Sequence, residues 1–121
     1  MIVGIVNVKA QSTLLEARRI ATKISLDSGK TFEEWSDWSD CRISVIIDLD
    51  HNIMTIDSDK LQVYRLSNKV QYLENNNGFK VSALDLDNLR CVIYFLEWGD
   101  GKRTMEIRYL DFQVAYVLTI L

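Results

Sequence analysis

The sequence predicts a mainly β protein, in which an antiparallel meander closes as a small barrel or sandwich with at most one helix near the amino terminus. Runs of alternating apolar and polar residues recur about every eight to twelve residues, which is typical of short strands. The runs are joined by turns rich in Asp, Asn and Gly, and the chain contains no proline. In the most regular stretch, residues 89–118, a run that is apolar on both faces and an alternating run flank the turn at residues 99–101. We therefore expect about seven to nine strands.

Composition indicates one domain spanning residues 1–121. The chain is 48% apolar and 26% charged with a net charge of −3, all ordinary values for a globular protein. Basic residues have acidic neighbours along the chain, which argues against a nucleic-acid partner. No apolar run approaches membrane-spanning length, so we expect no membrane partner and a cytoplasmic location.

The amino-terminal part of the chain leaves two points open. Residues 1–11 are apolar but short and lack a positively charged start, so we expect an arm or edge strand and not a signal peptide. In residues 13–26, Thr13 and Glu16 form a capping box that favours a helix. Alternation up to the turn that begins at Asp27 favours a strand instead.

The composition of residues 31–41 predicts an acidic aromatic loop. Trp35 and Trp38 stand three positions apart among acidic side chains that include Asp37. The two indoles either plug one end of the barrel or anchor a partner, because tryptophan buries a large area and is enriched at interface hot spots. For the second alternative we expect Trp35, Trp38 and Asp37 to be the partner-binding residues.

From residue 42 onward the strand signals are regular, with expected strands near residues 42–48, 53–56, 61–66, 79–84, 89–96, 103–109 and 112–121. The alternation of apolar residues in these runs predicts the core. We expect it to contain Ile43, Val45, Ile47, Val63, Val81, Cys91, Ile93, Phe95, Ile107 and Val114.

The last run is apolar on both of its faces, with Phe112, Val114, Tyr116 and Leu118 sharing one of them. An exposed apolar edge strand attracts another copy, so this pattern predicts a homodimer through these four residues. The alternative is that the run closes the barrel of a single chain. The sequence leaves both alternatives open.

No motif carries a reaction, so we expect a protein that is not an enzyme and has no cofactor, metal or catalytic residue. Asp48 and Asp50 are spaced as at the start of a calcium loop, but the required glycine and distant glutamate are missing. His51 is the only histidine and has no evident nucleophile beside it. Cys41 and Cys91 are expected to be free thiols, with a cross-strand disulfide as the alternative.

The chain also resembles a family of small, uncharacterised bacterial and phage-associated β-rich proteins of unknown function. The resemblance spans roughly the last three quarters of the chain and leaves out the first dozen residues. It rests on residues 35–38, 48–56, 62–64 and 85–91, and on Tyr109, Asp111 and Tyr116. The resemblance implies a strand at residues 16–26 and supplies no activity.

Two functions follow as expectations. The first is a non-catalytic protein-interaction module that binds another protein, in the setting of an accessory factor of a phage or mobile element. The second is a lipocalin-like binder of a small ligand, with Tyr64, Tyr94 and Phe95 lining an interior apolar cavity. A solid core would argue against the second function, whereas a deep pocket with convergent polar groups would favour it.

Overall fold

The protein folds as an eight-stranded antiparallel barrel in which each strand pairs with the next along the chain and β8 closes on β1. The structure is a computed structural model that describes residues 12–74 and 77–120, apart from the side chain of Asn68. The strands are β1 (Ser12–Ile24), β2 (Ser39–Asp48), β3 (Ile53–Asp57), β4 (Leu61–Tyr72), β5 (Gly78–Leu84), β6 (Arg90–Glu97), β7 (Arg103–Arg108) and β8 (Phe112–Ile120). The predicted antiparallel β meander is thus confirmed in its barrel form.

The ambiguous segment at residues 13–26 is a strand over most of its length, and no α-helix occurs in the part of the chain that the structure describes. Its capping-box signal is overridden because β1 pairs with β2 on one side and with β8 on the other. A bulge between Ala17 and Arg19 shifts the register of both pairings. The bulge increases the local twist of β1, which suits a strand that closes a small barrel.

The centre of the barrel is solid. Its fully buried large side chains come from four different strands and are Val45, Met54, Ile56, Ile93, Met105 and Ile107. Most of the predicted core residues are buried or packed against the core, but the prediction that Val63 belongs to the core is wrong. In β4 the buried residue is Tyr64, which is 3% exposed, so alternation places Val63 on the outer face. The phenol can lie inside because its hydroxyl donates to the Gln62 Oε1 atom at 2.7 Å.

Strand β8 has no free edge, because it pairs with β7 and with β1. The predicted homodimer through Phe112, Val114, Tyr116 and Leu118 assumed an unpaired edge there, so that premise is wrong. Self-association itself stays a prediction. Cys41 and Cys91 are both free thiols, so the alternative of a disulfide between them is also wrong.

The expected arm or edge strand at residues 1–11 lies outside the described residues. Within the described ranges, no helix is long and apolar enough to cross a membrane.

Candidate functional site

The outer wall of the barrel carries a surface built from three tryptophans, which we call the tryptophan surface. Trp35 and Trp38 come from the β1–β2 loop, and Trp98 comes from the turn between β6 and β7. Together with residues of β1, β7 and β8 they line a pocket of about 180 Å3. Two segments far apart in sequence meet here because β8 pairs with both β7 and β1.

The β1–β2 loop is held by hydrogen bonds although it has little regular structure. The Asp27 carboxylate accepts from the Thr31 backbone N–H at 2.8 Å, from the Thr31 hydroxyl at 2.6 Å and from the Ser25 hydroxyl at 2.7 Å. The hydrogen bonds from Thr31 and Ser25 lower the pKa of Asp27 to about 2. Nearer to the indoles, Ser36 donates its N–H to the Thr22 carbonyl at 2.8 Å and its hydroxyl accepts the Thr22 N–H at 2.9 Å.

The β6–β7 turn fixes the third indole. The Trp98 N–H donates to the Lys102 carbonyl at 2.8 Å, and Gly101 supplies the positive φ of 83° that the turn requires. The indole nitrogen donates to the hydroxyl of Thr104 at 2.9 Å. Trp98 is therefore anchored at its backbone and at its side chain.

Small residues form the floor beneath the indoles. Ala21 on β1 and Ala115 on β8 pair with each other across the two strands and face outward, yet they are only 3% and 4% exposed. The indoles cover them and remain partly exposed themselves, at 37% for Trp35, 42% for Trp38 and 49% for Trp98. Trp35 and Trp38 thus lie on the outer wall, and the alternative that they plug one end of the barrel is wrong.

Charged side chains surround the tryptophan surface. The Lys23 ammonium lies 4.5 Å from the ring centre of Trp35, and the Lys102 ammonium lies 5.6 Å from that of Trp38. Such cation–π contacts fix the rings and leave the ammonium groups near water. The loop that carries the indoles also exposes three carboxylates, which are Glu33, Glu34 and Asp37, and Asp40 is exposed at the start of β2.

The predicted partner-binding residues Trp35, Trp38 and Asp37 are therefore brought to one exposed loop surface. Sequence reasoning missed Trp98, which completes the pocket. The one available signal was its position immediately before the glycine turn at residues 99–101, but that position does not report the closure of the barrel that brings it to Trp38.

A second feature, which we call the end cavity, lies at the end of the barrel where β1 begins and β8 finishes. As bounded by the described residues, it has a volume of about 580 Å3. Its wall is mainly apolar and includes Leu15, Ile47, Leu66, Val70, Phe79, Val81, Phe95 and Leu118. Polar side chains at its border include Thr13, Asn52, Ser67, Glu97 and Arg103.

Of the three residues predicted to line a cavity, only Phe95 does so. Tyr94 alternates with it and faces outward, where the Arg108 guanidinium lies 3.9 Å from the ring centre. Tyr64 lies near the opposite end of the barrel, beside Asp85 and Tyr109. The expectation is wrong for Tyr94 because β6 carries aromatic residues on both faces and the sequence did not show which face is inside. It is wrong for Tyr64 because this residue of β4 faces the interior away from the end cavity.

The end of the barrel opposite the cavity holds a group of buried protonated side chains. The Tyr109 hydroxyl donates to the Asp85 carboxylate at 2.8 Å, and burial together with this bond raises the pKa of Tyr109 far above its usual value. Burial also raises the pKa of Tyr64 to about 12 and that of the Cys91 thiol to about 11. These groups stay neutral near pH 7, and a neutral thiol is a poor nucleophile.

The turn between β2 and β3 is closed by its own side chains. The Asp48 carboxylate accepts from the His51 backbone N–H at 3.2 Å and pairs with the ring Nδ1 at 2.8 Å. The side-chain hydrogen bond from His51 lowers the pKa of Asp48. Among the described residues, no three His, Cys, Asp or Glu side chains come together as metal ligands would.

Comparison of this chain with family models, curated proteins and solved structures found no match. The resemblance to small phage-associated proteins stays a prediction.

Proposed function

We propose that the protein is a non-catalytic interaction module that binds another protein through the tryptophan surface. The observation that carries this proposal is the exposure of three indoles, at 37%, 42% and 49%, on a floor of buried alanines. Clustered, partly exposed large aromatic residues are common at the hot spots of protein interfaces. A contiguous apolar patch with a polar rim commonly marks an interaction site, whereas single exposed apolar residues such as Leu26 and Leu110 are ordinary.

The charges suggest the chemistry of the partner. The loop carries Glu33, Glu34 and Asp37, Asp40 follows at the start of β2, and the whole chain has a net charge of −3. A partner that offers apolar side chains to the indoles and lysines or arginines to the surrounding carboxylates would be complementary. We therefore propose a partner with a basic, partly apolar surface.

The hydrogen bonds of the site favour tight association. Ser36 is tied to Thr22, and Trp98 is tied to Thr104, before any partner arrives. Binding to a preformed surface loses less conformational entropy than binding that must first order a loop.

We also propose a cellular compartment and a biological context for the protein. Two free thiols, Cys41 and Cys91, fit a reducing compartment, and we propose the cytoplasm. An accessory role in a phage or mobile element is proposed from the family resemblance alone.

The test is affinity capture from an extract of the native host, followed by a direct binding measurement with the purified captured protein. The Trp35→Ala/Trp38→Ala double variant is compared with wild type. Leu86→Ala is the matched control, because Leu86 is a 65% exposed apolar residue in the β5–β6 turn.

We expect the double variant to bind the purified partner at least about tenfold more weakly, and Leu86→Ala to bind it as wild type does. Equal affinity for wild type and the double variant would contradict the proposal. A second copy of this chain as the captured protein would show self-association, and it would contradict the basic partner proposed here.

A further inference from the structure

We infer that the end cavity binds a small amphipathic carboxylate, with its apolar body inside the barrel and its carboxylate at Arg103. None of the three indoles lines the end cavity, and Thr104 is the one described residue that borders both this cavity and the pocket of the tryptophan surface. The inference therefore does not depend on the proposed protein partner.

The size of the cavity suits a small molecule. Its volume of about 580 Å3 lies within the range of roughly 300–1,000 Å3 that is usual for small-ligand sites. The barrel beneath it is filled, because Met54, Ile93 and Met105 have no exposed surface. A ligand would therefore enter from the open end and stop at the packed centre.

The cavity wall is suited to an apolar body. Its inner part includes Leu15, Val81 and Leu118, which are 6%, 3% and 7% exposed. On one side Phe79 stacks on Phe95 with ring centres 4.8 Å apart. Water in such a cavity finds few hydrogen-bonding partners, so its replacement by hydrocarbon is favourable.

Two features of the backbone shape the cavity wall. A bulge between Leu66 and Val70 interrupts the pairing of β4 with β5 beside the cavity. Gly78 also borders the cavity, and a Cβ atom there would meet the Phe95 carbonyl oxygen at 1.9 Å. β5 therefore approaches β6 closely at a glycine in the cavity wall.

The border offers one cation with free donors. Arg103 donates through Nε to the Glu97 carboxylate at 3.1 Å, while its two Nη groups have no hydrogen-bond partner among the described residues. A guanidinium can bind a carboxylate through two parallel N–H groups. The Arg103 side chain is 43% exposed, so a ligand carboxylate can reach the Nη atoms beside the rim.

The test uses laurate as the probe, with 1-dodecanol as an uncharged probe of the same chain length. Affinities are measured with the full chain by calorimetry or by NMR titration below the micelle concentration. Arg103→Gln removes the charge, Val81→Phe fills the inner cavity, and Arg90→Gln is the control because Arg90 is exposed but does not line the cavity. Circular dichroism establishes that each variant keeps the β fold.

We expect laurate to bind wild type and Arg90→Gln equally, and to bind Arg103→Gln about tenfold more weakly. Dodecanol should bind wild type and Arg103→Gln with the same affinity. Val81→Phe should lower the affinity for both probes. If Val81→Phe does not fold, Phe95→Trp provides a second way to fill the cavity. Failure of laurate to bind wild type, or equal laurate affinity for wild type and Arg103→Gln, would overturn the inference.

Discussion

The indole nitrogen of Trp98 donates a 2.9 Å hydrogen bond to the hydroxyl of Thr104, which is 6% exposed on the outer face of β7. This bond ties the turn at the end of β6 to the wall of the barrel. It places the third indole beside the two that the β1–β2 loop supplies. The tryptophan surface thus depends on a polar contact as well as on apolar packing.

Replacement of Thr104 by valine should release Trp98 with little change in volume. The indole N–H would lose its acceptor, which we expect to lower the free energy of unfolding by about 1 kcal/mol. Urea denaturation measures that change, and the NMR signal of the Trp98 indole proton should shift and exchange faster with water. An indole signal unchanged in Thr104→Val would show that the hydrogen bond does not form in solution.

Replacement of Ala115 by leucine should displace the indoles from their packing against Ala21 and Ala115. Because Ala115 is 4% exposed beneath them, the larger side chain is expected to destabilise the fold by about 1–3 kcal/mol. Thr119→Leu is the matched control, since Thr119 lies on the same strand with an exposed side chain. Acrylamide quenching of tryptophan fluorescence should rise in Ala115→Leu only, and equal quenching in both variants would mean that the indoles do not rest on Ala115.

Asp27 should make stability fall in acid. Its hydrogen bonds to Thr31 and Ser25 lower the pKa from 3.8 to about 2, so the folded form favours the ionised carboxylate. The stabilisation is complete above about pH 4 and disappears as the pH falls towards 2. NMR titration of the Asp27 carboxyl carbon checks the pKa, and Asp27→Asn should lose stability at pH 6 with a smaller difference from wild type at pH 2. A midpoint near 3.8 would contradict the geometry of the loop.

Gly78 and Gly101 should respond differently to alanine although both have positive φ. At Gly78 the new Cβ would lie 1.9 Å from the Phe95 carbonyl oxygen, whereas at Gly101 no atom of the described residues other than its chain neighbours lies within 4 Å of the new Cβ. We expect Gly78→Ala to cost about 3 kcal/mol or more and Gly101→Ala about 1 kcal/mol, since only the backbone conformation is strained there. Thermal and urea unfolding of the two variants measure the difference. Equal costs would show that β5 does not approach β6 so closely.

The repeated alternation of apolar residues predicted the barrel well. Turn residues mark the ends of the strands, and each strand pairs with the next one along the chain, so most of the pairing is local in sequence. It was harder to predict which face of a strand points into the barrel where both faces are apolar or aromatic. Tyr94 and Phe95 illustrate this: Phe95 is inside because the register sets it opposite Met105 and Phe79, and that register follows from neighbouring strands. Val63 was misplaced for the same reason, since Tyr64 occupies the interior.

The tryptophan surface was predicted only in part. Trp35, Trp38 and Asp37 are close in sequence, so their loop was visible as an acidic aromatic cluster. Trp98 joins them only after β8 has closed on β1, which is a pairing of residues near opposite ends of the chain. A side chain that reaches a site through such long-range closure leaves no local signal in the sequence.

The most direct test of a protein partner at the tryptophan surface is site-specific photo-cross-linking in the native host. The photoreactive residue p-benzoylphenylalanine replaces Asp37 in one variant and Leu86 in the other, which lies in the β5–β6 turn. We expect light to link the Asp37 variant to one discrete protein with a basic surface, and to leave the Leu86 variant unlinked to it. The same cross-linked product from both positions, or none from Asp37, would contradict the proposed function.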